Sequence, residues 1–228
     1  MRSLTGIFAI ALTLALTACS EEQAEAPAAP PAKTETTPPA AAPDPTPAGN
    51  AGGNNDEAGA QAEPFFAQMV LGDVTFQVES PNDSSINQVT VRAEGPEGPI
   101  GQMEAEADGT ITNVEIDDLN ADGYPEIYVY VTSAGSGSYG SLIAYASNQN
   151  KSLSQIYLPS IEDDPAISQG YMGHDEFAVG EGALLRRFPI YKDGDPNAQP
   201  TGGTRQIQYK LEAGEAGWIL RQDRVVEF

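Results

Sequence analysis

The sequence predicts an all-β protein, a single antiparallel β-sandwich or partly open barrel domain, and three observations support this. Apolar residues alternate with polar ones in VTFQVES, NQVTVRAE and RQIQYKLE, which is the period of half-buried strands. Turn-forming pairs such as Asp108-Gly109 and Gly202-Gly203 recur at the spacing of short strands. No stretch carries a sustained helical period with caps, and only Glu162 to Gly170 suggests a helical turn. Many short strands without helices form sandwiches or barrels.

Three further strands are predicted to lie at the centre of the fold. The runs IYVYV, LIAYA and QIYLP are apolar without alternation, as expected for strands that are covered on both faces. Residues 65–228, which contain all of these segments, are numerous enough for one domain with a substantial core.

Residues 1–18 have the pattern of a secretory signal peptide. Arg2 supplies the positive charge, GIFAIALTLAL the apolar region, and Leu16-Thr17-Ala18-Cys19 a small-residue cleavage site. The ending resembles the lipobox of bacterial lipoproteins, which implies a lipid on Cys19 and, with Ser20 next, an anchor in the outer membrane that faces the periplasm. The alternative is an ordinary signal peptide that is cleaved near Ala18. Cys19 is the only cysteine, and an unmodified single thiol in an exported protein invites unwanted disulfide pairing, which favours the lipid-modified form.

The segment from the lipidated Cys19 to residue 64 predicts a disordered tether. It consists mainly of Ala, Pro, Glu, Thr, Gly and Asn and contains no aromatic residue, so it has too little apolar surface to offset the entropy of ordering. Its Pro-rich parts favour extended polyproline II conformations that give reach from the membrane.

The acidity of the chain restricts its partners. The formal net charge is −22, and 25 acidic but only 9 basic residues follow residue 64. Such a surface does not bind nucleic acid through phosphate contacts, whereas it steers the protein toward a basic partner. The alternative is that the charge serves solubility alone.

The residues favour a protein without enzymatic activity. His174 is the only histidine, and no G-x-S-x-G elbow is present. Zinc sites built on two or more His or Cys are excluded by count. Acidic residues are plentiful, so carboxylate pairs for glycoside chemistry stay open, but no spacing singles out a pair.

One motif predicts a calcium loop, although the same residues also make a good metal-free turn. In DLNADGYPE, the side chains of Asp118, Asn120 and Asp122 alternate before a glycine, with the carbonyl of Tyr124 and the side chain of Glu126 as further ligands. An EF-hand is excluded because Val129 occupies its twelfth position. The functional alternative that follows from this motif is a calcium-dependent envelope-binding or adhesion module. No other cofactor is predicted.

The stretch SAGSGSYGS, from Ser133 to Ser141, is too long for a tight hairpin and carries one bulky residue, Tyr139. We expect Gly135, Gly137 and Gly140 to let its backbone project and approach a partner closely.

DLNADGYPEIYVYVTSAGSGSYGSLIAYA, GHDEFAVGEGALLRRFPIYKDGD and RQIQYKLEAGEAGWIL together resemble the bacterial periplasmic inhibitors of invertebrate-type lysozyme, over about 65–226. The most specific element is Ser136-Gly137-Ser138-Tyr139, which matches the S-G-x-Y motif that this family inserts into the lysozyme cleft from a protruding loop. The resemblance implies a periplasmic protein whose partner is a basic lysozyme, with Ser136, Gly137, Ser138 and Tyr139 as its binding loop. The lysozyme class is taken from the resemblance.

Two further expectations concern the surface. An apolar sheet edge is compatible with a homodimer. The basic residues Arg186, Arg187 and Lys192 form either a second contact or, as we favour, pairs with neighbouring carboxylates.

Overall fold

The computed structural model describes residues 63–215 and 217–228. The predicted signal peptide, Cys19 and the tether up to residue 62 lie outside the described residues. Within the described part the chain forms twelve strands: β1 (Phe65–Leu71), β2 (Val74–Ser80), β3 (Ile86–Gly95), β4 (Gly98–Asp108), β5 (Thr110–Asp117), β6 (Glu126–Thr132), β7 (Gly140–Asn148), β8 (Ser152–Tyr157), β9 (Glu176–Gly180), β10 (Ala183–Pro189), β11 (Thr204–Ala213) and β12 (Trp218–Glu227). A 3-10 turn (Ile161–Asp163) and the short helix α1 (Pro165–Ser168) lie within the predicted helical segment or at its edge. No helix of the described part is long and apolar enough to cross a membrane.

The strands form two sheets, and the all-β prediction is confirmed. Strands β1 to β4 make a four-stranded antiparallel sheet in chain order, and the other eight follow the order β5-β6-β7-β8-β12-β11-β10-β9. The edge strands of the eight-stranded sheet, β5 and β9, approach each other, and the Val179 amide of β9 donates to Glu115 Oε2 of β5 at 2.8 Å. The larger sheet is therefore nearly closed into a barrel.

One strand pair departs from the antiparallel pattern. Strands β8 and β12 run parallel, with Trp218 opposite Ile156 and Ile219 opposite Tyr157. Parallel neighbours need a long crossover connection, here the whole stretch through β9, β10 and β11.

The protein has two apolar cores, and β6 contributes to both. Ile127, Val129 and Val131 pack between the four-stranded sheet and the barrel wall. Tyr128 and Tyr130 point to the opposite side, into the barrel interior. Because successive side chains of a strand point to opposite faces, β6 is buried on both sides, as its unbroken apolar run predicts.

The alternating segments also follow the prediction, whereas the expectation for QIYLP is wrong. Strands β2 and β11 alternate between buried and half-buried residues along most of their length. In β8, however, Gln155 and Tyr157 are exposed and the strand ends at Tyr157, so only Ile156 is buried there. The reason is that successive side chains point to opposite faces, and at Gln155 and Tyr157 the outer face of β8 is open to solvent.

The double burial of β6 gives a stability prediction. Ile127 is 0% exposed, so Ile127→Ala leaves a cavity and is expected to lower the free energy of unfolding by about 2–5 kcal/mol. Ile86 is 55% exposed on β3, and Ile86→Ala is expected to cost less than about 0.5 kcal/mol. Urea unfolding of both variants measures the difference, and equal losses would contradict this placement of β6.

Candidate functional site

The loop between β6 and β7 spans residues 133–139 and is closed by its own hydrogen bonds. The Ser133 amide donates to the Tyr139 carbonyl at 2.9 Å, and the Tyr139 amide donates to Ser133 Oγ at 3.0 Å. Inside this closure the Ser138 amide donates to the Gly135 carbonyl at 3.0 Å, with Ser138 at φ 44°. Strand β7 begins at Gly140, so the loop has two residues fewer than the sequence suggested.

Two distant segments hold the tip of the loop. The His174 amide donates to the Gly137 carbonyl at 2.7 Å. The side-chain amide of Asn197 donates to the Ser136 carbonyl at 2.8 Å, and its Oδ1 lies 3.3 Å from His174 Nε2. The backbone on either side of the Ser136–Gly137 bond is thus fixed by residues from outside the loop.

Two of the three loop glycines, Gly137 and Gly140, make close contacts within the protein that the sequence does not reveal. A Cβ on Gly137 would lie 2.4 Å from Cε2 of Tyr139, and one on Gly140 would lie 2.5 Å from Cβ of Asp175. Gly173 has φ +86°, and a Cβ there would lie 2.1 Å from the Gly137 carbonyl oxygen. Of the three loop glycines, Gly135 alone has nothing within 4 Å of an added Cβ. The close approach of the loop to residues 172–175 therefore requires glycine at 137 and 140 in the loop and at 173 in the facing segment.

A buried ion pair fixes the end of the loop where β7 begins. The Asp175 carboxylate, with no exposed side-chain surface, accepts from Arg186 Nε at 2.7 Å. It also accepts from the Gly140 amide at 2.7 Å and from the Tyr171 hydroxyl at 2.6 Å. Burial and the hydrogen bond to Asp175 raise the pKa of Tyr171 well above its ordinary value, so the hydroxyl stays protonated and donates.

The loop presents two hydroxyl groups to solvent. Tyr139 is 46% exposed, and its ring packs edge-on against Tyr171 with 5.6 Å between centroids and 77° between planes. Ser136 is exposed. Neither hydroxyl hydrogen-bonds to any residue of the described ranges. A groove lined by Tyr139, Tyr157, Leu158, Glu162 and other residues runs beside the loop.

The predicted calcium ligands come together at the other end of β6. Carboxylate oxygens of Asp118, Asp122 and Glu126 all lie within 4.8 Å of one another. Burial raises the pKa of Glu126 to about 8, against the lowering effect of the Leu119 amide, and the charges of Asp118 and Asp122 add to the rise. Asn120 joins the cluster by donating to Asp122 Oδ2 at 3.1 Å, and Tyr124 is half-buried beside it.

The basic residues divide into two groups. The favoured pairing is right for Arg186, which is buried against Asp175 and whose guanidinium carbon lies 5.3 Å from the ring centres of both Tyr171 and Phe177. It is wrong for Arg187 and Lys192, which form no ion pair among the described residues. Strand β10 points Arg186 inward, whereas Arg187 faces solvent.

The residues that hold the loop escaped the sequence interpretation. Asp175 follows the single histidine in GHDEF, where a buried acid has no local signature, and Asn197 lies 61 residues from its partner Ser136. The sequence gives one hint of this arrangement, because Gly173 stands directly before His174 and Asp175 in a segment without regular periodicity.

The site combines a rigid exposed loop with polar hydroxyls and an aromatic ring. His174 supports the site rather than acting in it, because its imidazole lies next to the Asn197 side chain and stacks on the Tyr191 ring, with 6.4 Å between the ring centroids. An anchored, exposed loop that carries hydroxyl groups and an aromatic ring is typical of a protein-binding surface.

Comparison with known proteins identifies the kind of protein. The model of the family of periplasmic lysozyme inhibitors of I-type lysozyme (PliI) matches residues 100–167, a shorter range than the resemblance suggested. Aeromonas hydrophila PliI, in a structure solved in complex with Meretrix lusoria lysozyme, is 31% identical over 40% of this chain and 80% of that chain, with a TM-score of 0.35. A structure of the same organism's inhibitor without a named partner is 32% identical over 40% of this chain and 84% of that chain, with a TM-score of 0.36. Comparison with curated proteins gives no match.

Identity above 30% over at least four fifths of these relatives, together with the family match, shows that this chain belongs to the PliI family. By its description the family consists of periplasmic inhibitors of I-type lysozyme, and the chain is thus not an enzyme.

The buried ion pair yields a test of how the loop is held. Asp175→Ala leaves Arg186 buried without its carboxylate, and we expect the free energy of unfolding to fall by about 3–5 kcal/mol. Glu212→Ala removes the partner of Arg221 from an exposed pair at 3.0 Å and is expected to cost less than about 1 kcal/mol. Denaturant unfolding compares the two, and the Gly140 amide should exchange its hydrogen faster only in Asp175→Ala. Similar small losses in both would show that the pair does not anchor the loop.

Proposed function

We propose that this protein inhibits invertebrate-type lysozyme by inserting residues 136–139 into the active-site cleft of the enzyme. Family membership supports the inhibitory activity and the class of target. The observation that carries the proposed mechanism is the loop itself, which lies in the family-matched segment. It exposes Ser136 and Tyr139, whose hydroxyls have no hydrogen-bond partner within the part of the chain that the structure describes.

The chemistry of the loop suits a cleft that contains carboxylates. Lysozymes cleave glycosidic bonds with a pair of acidic residues, one of which is protonated. Residues 133–139 contain no charged side chain. A hydroxyl can donate to an ionised carboxylate or accept from a protonated one, so Ser136 and Tyr139 match both states of the pair. An acidic loop would instead be repelled.

The anchoring of the loop favours tight binding. Ordering a flexible segment on association costs free energy that a segment already fixed in the free protein does not lose again. The contacts of Ser136 and Gly137 with Asn197 and His174 therefore reduce the entropic cost of binding. Tyr139 adds the rigid aromatic side chain that often dominates interface energies.

Charge and location complete the proposal. A net charge of −22 attracts a basic lysozyme over long range and raises the association rate.

We further propose that a lipid on Cys19 anchors the protein in the outer membrane and that residues 20–62 carry the inhibitory domain into the periplasm, where it protects peptidoglycan. Nucleic acid is not a partner in this proposal.

Removal of the two exposed side chains tests the mechanism. Tyr139→Ala is expected to raise the inhibition constant by at least about 30-fold, because a hot-spot aromatic side chain contributes about 2 kcal/mol or more. Ser136→Ala with Tyr139→Ala is expected to raise it by about 100-fold or more, because the lost serine hydrogen bond adds about 1 kcal/mol. Inhibition assays with invertebrate-type, chicken-type and goose-type lysozymes measure both the change in the inhibition constant and the class of lysozyme that the protein prefers.

Phe66→Ala is the matched control, because it removes a 61% exposed aromatic ring from β1 in the other sheet. It should leave the inhibition constant unchanged. If the double variant is folded by circular dichroism and inhibits as well as the parent, the loop is not the inhibitory element.

A pair of glycine substitutions tests whether the conformation of the loop matters. Gly137→Ala places a methyl group against the Tyr139 ring, and we expect the inhibition constant to rise by roughly tenfold or more, about 1.4 kcal/mol. Gly135→Ala adds the same group where nothing lies within 4 Å and should change inhibition by less than about twofold. Equal inhibition by the two variants in the same assay would argue that the position of Tyr139 is not important.

A further inference from the structure

The corner between β5 and β6 holds a buried carboxyl group that the inhibitory loop does not explain. Glu126 is 1% exposed at the first position of β6. Its Oε2 accepts from the Leu119 amide at 2.8 Å and lies 3.3 Å from the Tyr128 hydroxyl. Its Oε1 is buried and has no hydrogen-bond partner in the described part of the chain. A buried oxygen without a partner is costly, and in a native protein it calls for an explanation such as a bound water or ion.

The carboxyl groups beside Glu126 are held in place by backbone amides. Asp118 Oδ2 accepts from the Gly123 amide at 2.8 Å, and Asp122 Oδ1 accepts from the Tyr124 amide at 2.8 Å. Each carboxylate oxygen has a second lone pair, so these bonds leave acceptor capacity free. The amides thus position the oxygens without satisfying them.

The cluster has a deficit of positive charge. Oxygens of Asp118, Asp122 and Glu126 lie within 4.8 Å of one another, and none of the three residues takes part in an ion pair among the described residues. When all three carboxyl groups are ionised, like charges at this distance repel, and the buried one also loses its hydration. A cation between them would remove both penalties.

We propose that this corner binds one calcium ion through the side chains of Asp118, Asn120, Asp122 and Glu126, with the carbonyl of Tyr124 as a fifth protein ligand and water completing the shell. The donors are all oxygen, which favours calcium over zinc, and calcium accepts irregular shells of six to eight oxygens, whereas magnesium requires a near-ideal octahedron. Glu126 occupies the ninth position of the loop and supplies its ligand from a strand, which distinguishes the site from an EF-hand.

The ion has a structural role that is separate from inhibition. Calcium would connect the Asp118–Asp122 turn to the start of β6, while the inhibitory loop follows the end of the same strand, about 20 Å away for seven residues. Calcium therefore stabilises the fold and should leave the inhibition constant unchanged as long as the protein stays folded.

Thermal unfolding of the full chain tests the site. After treatment with chelator and dialysis, calcium chloride at about 100 times its dissociation constant is expected to raise the melting temperature by roughly 5–10 °C, since it binds only the folded state. Magnesium chloride at the same concentration should give a much smaller shift. Terbium ions, excited through Tyr124 or Tyr128, should luminesce when bound and be displaced by calcium.

Two substitutions with matched controls locate the site. Glu126→Gln keeps the shape of the buried group and should abolish the calcium shift, whereas Glu106→Gln, on the exposed side of β4, should keep it. Because a buried substitution can impair folding, Asp122→Asn gives a second test at an exposed position, with exposed Asp193→Asn as its control. The proposal is overturned if the parent shows neither a calcium shift nor terbium binding, or if Glu126→Gln and Asp122→Asn keep the full shift.

Discussion

Strand β6 must be apolar on both faces, and the rest of the structure depends on this constraint. Its odd-numbered side chains, Ile127 to Val131, fill the core under the four-stranded sheet, and Tyr128 and Tyr130 fill the barrel. A shift of register by one residue would exchange the two sets and place tyrosine hydroxyls in an aliphatic core. The register is therefore strongly specified, and both ends of the strand are positioned with it. The cluster of Asp118, Asp122 and Glu126 lies at the start of the strand, and the loop of residues 133–139 follows its end.

The loop is positioned by residues that come later in the chain. The Asp175–Arg186 pair lies beneath its C-terminal end, and Asn197 reaches the tip. Buried ion pairs contribute less to stability than their geometry suggests, because desolvation offsets much of the attraction, but they tolerate few alternative arrangements. Here the carboxylate accepts hydrogen bonds from three elements at once, the start of β7, the segment before β9 and β10. The pair thus joins the loop to the barrel wall in one defined orientation.

The fold class and the motifs were predictable from local pattern, whereas their supports were not. Alternation revealed β2, β3 and β11, and the unbroken run IYVYV revealed the doubly buried β6, because these signals depend only on which face of a strand is covered. The parallel pairing of β8 with β12 depends on a crossover of about 60 residues, and the exposure of Tyr157 depends on which face of β8 the rest of the fold covers. Ser136 and Tyr139 stand out by motif, whereas the internal contacts of Gly137 and Gly140 do not. Whether a glycine provides mobility or close contact depends on what lies opposite, and Asp175 and Gly173 are opposite only in the folded chain.

The way in which the loop is tied down also bears on its survival. An exposed stretch of glycine and serine is the kind of segment that proteases prefer to cut, since it fits an extended substrate groove without steric hindrance. In this protein the Ser133–Tyr139 closure and the bonds from His174 and Asn197 keep the stretch from extending. Cleavage then requires that the loop first detach, so its rate is limited by a rarely populated open state. The contacts that fix the conformation of the loop thereby make it a poor substrate for peptidases.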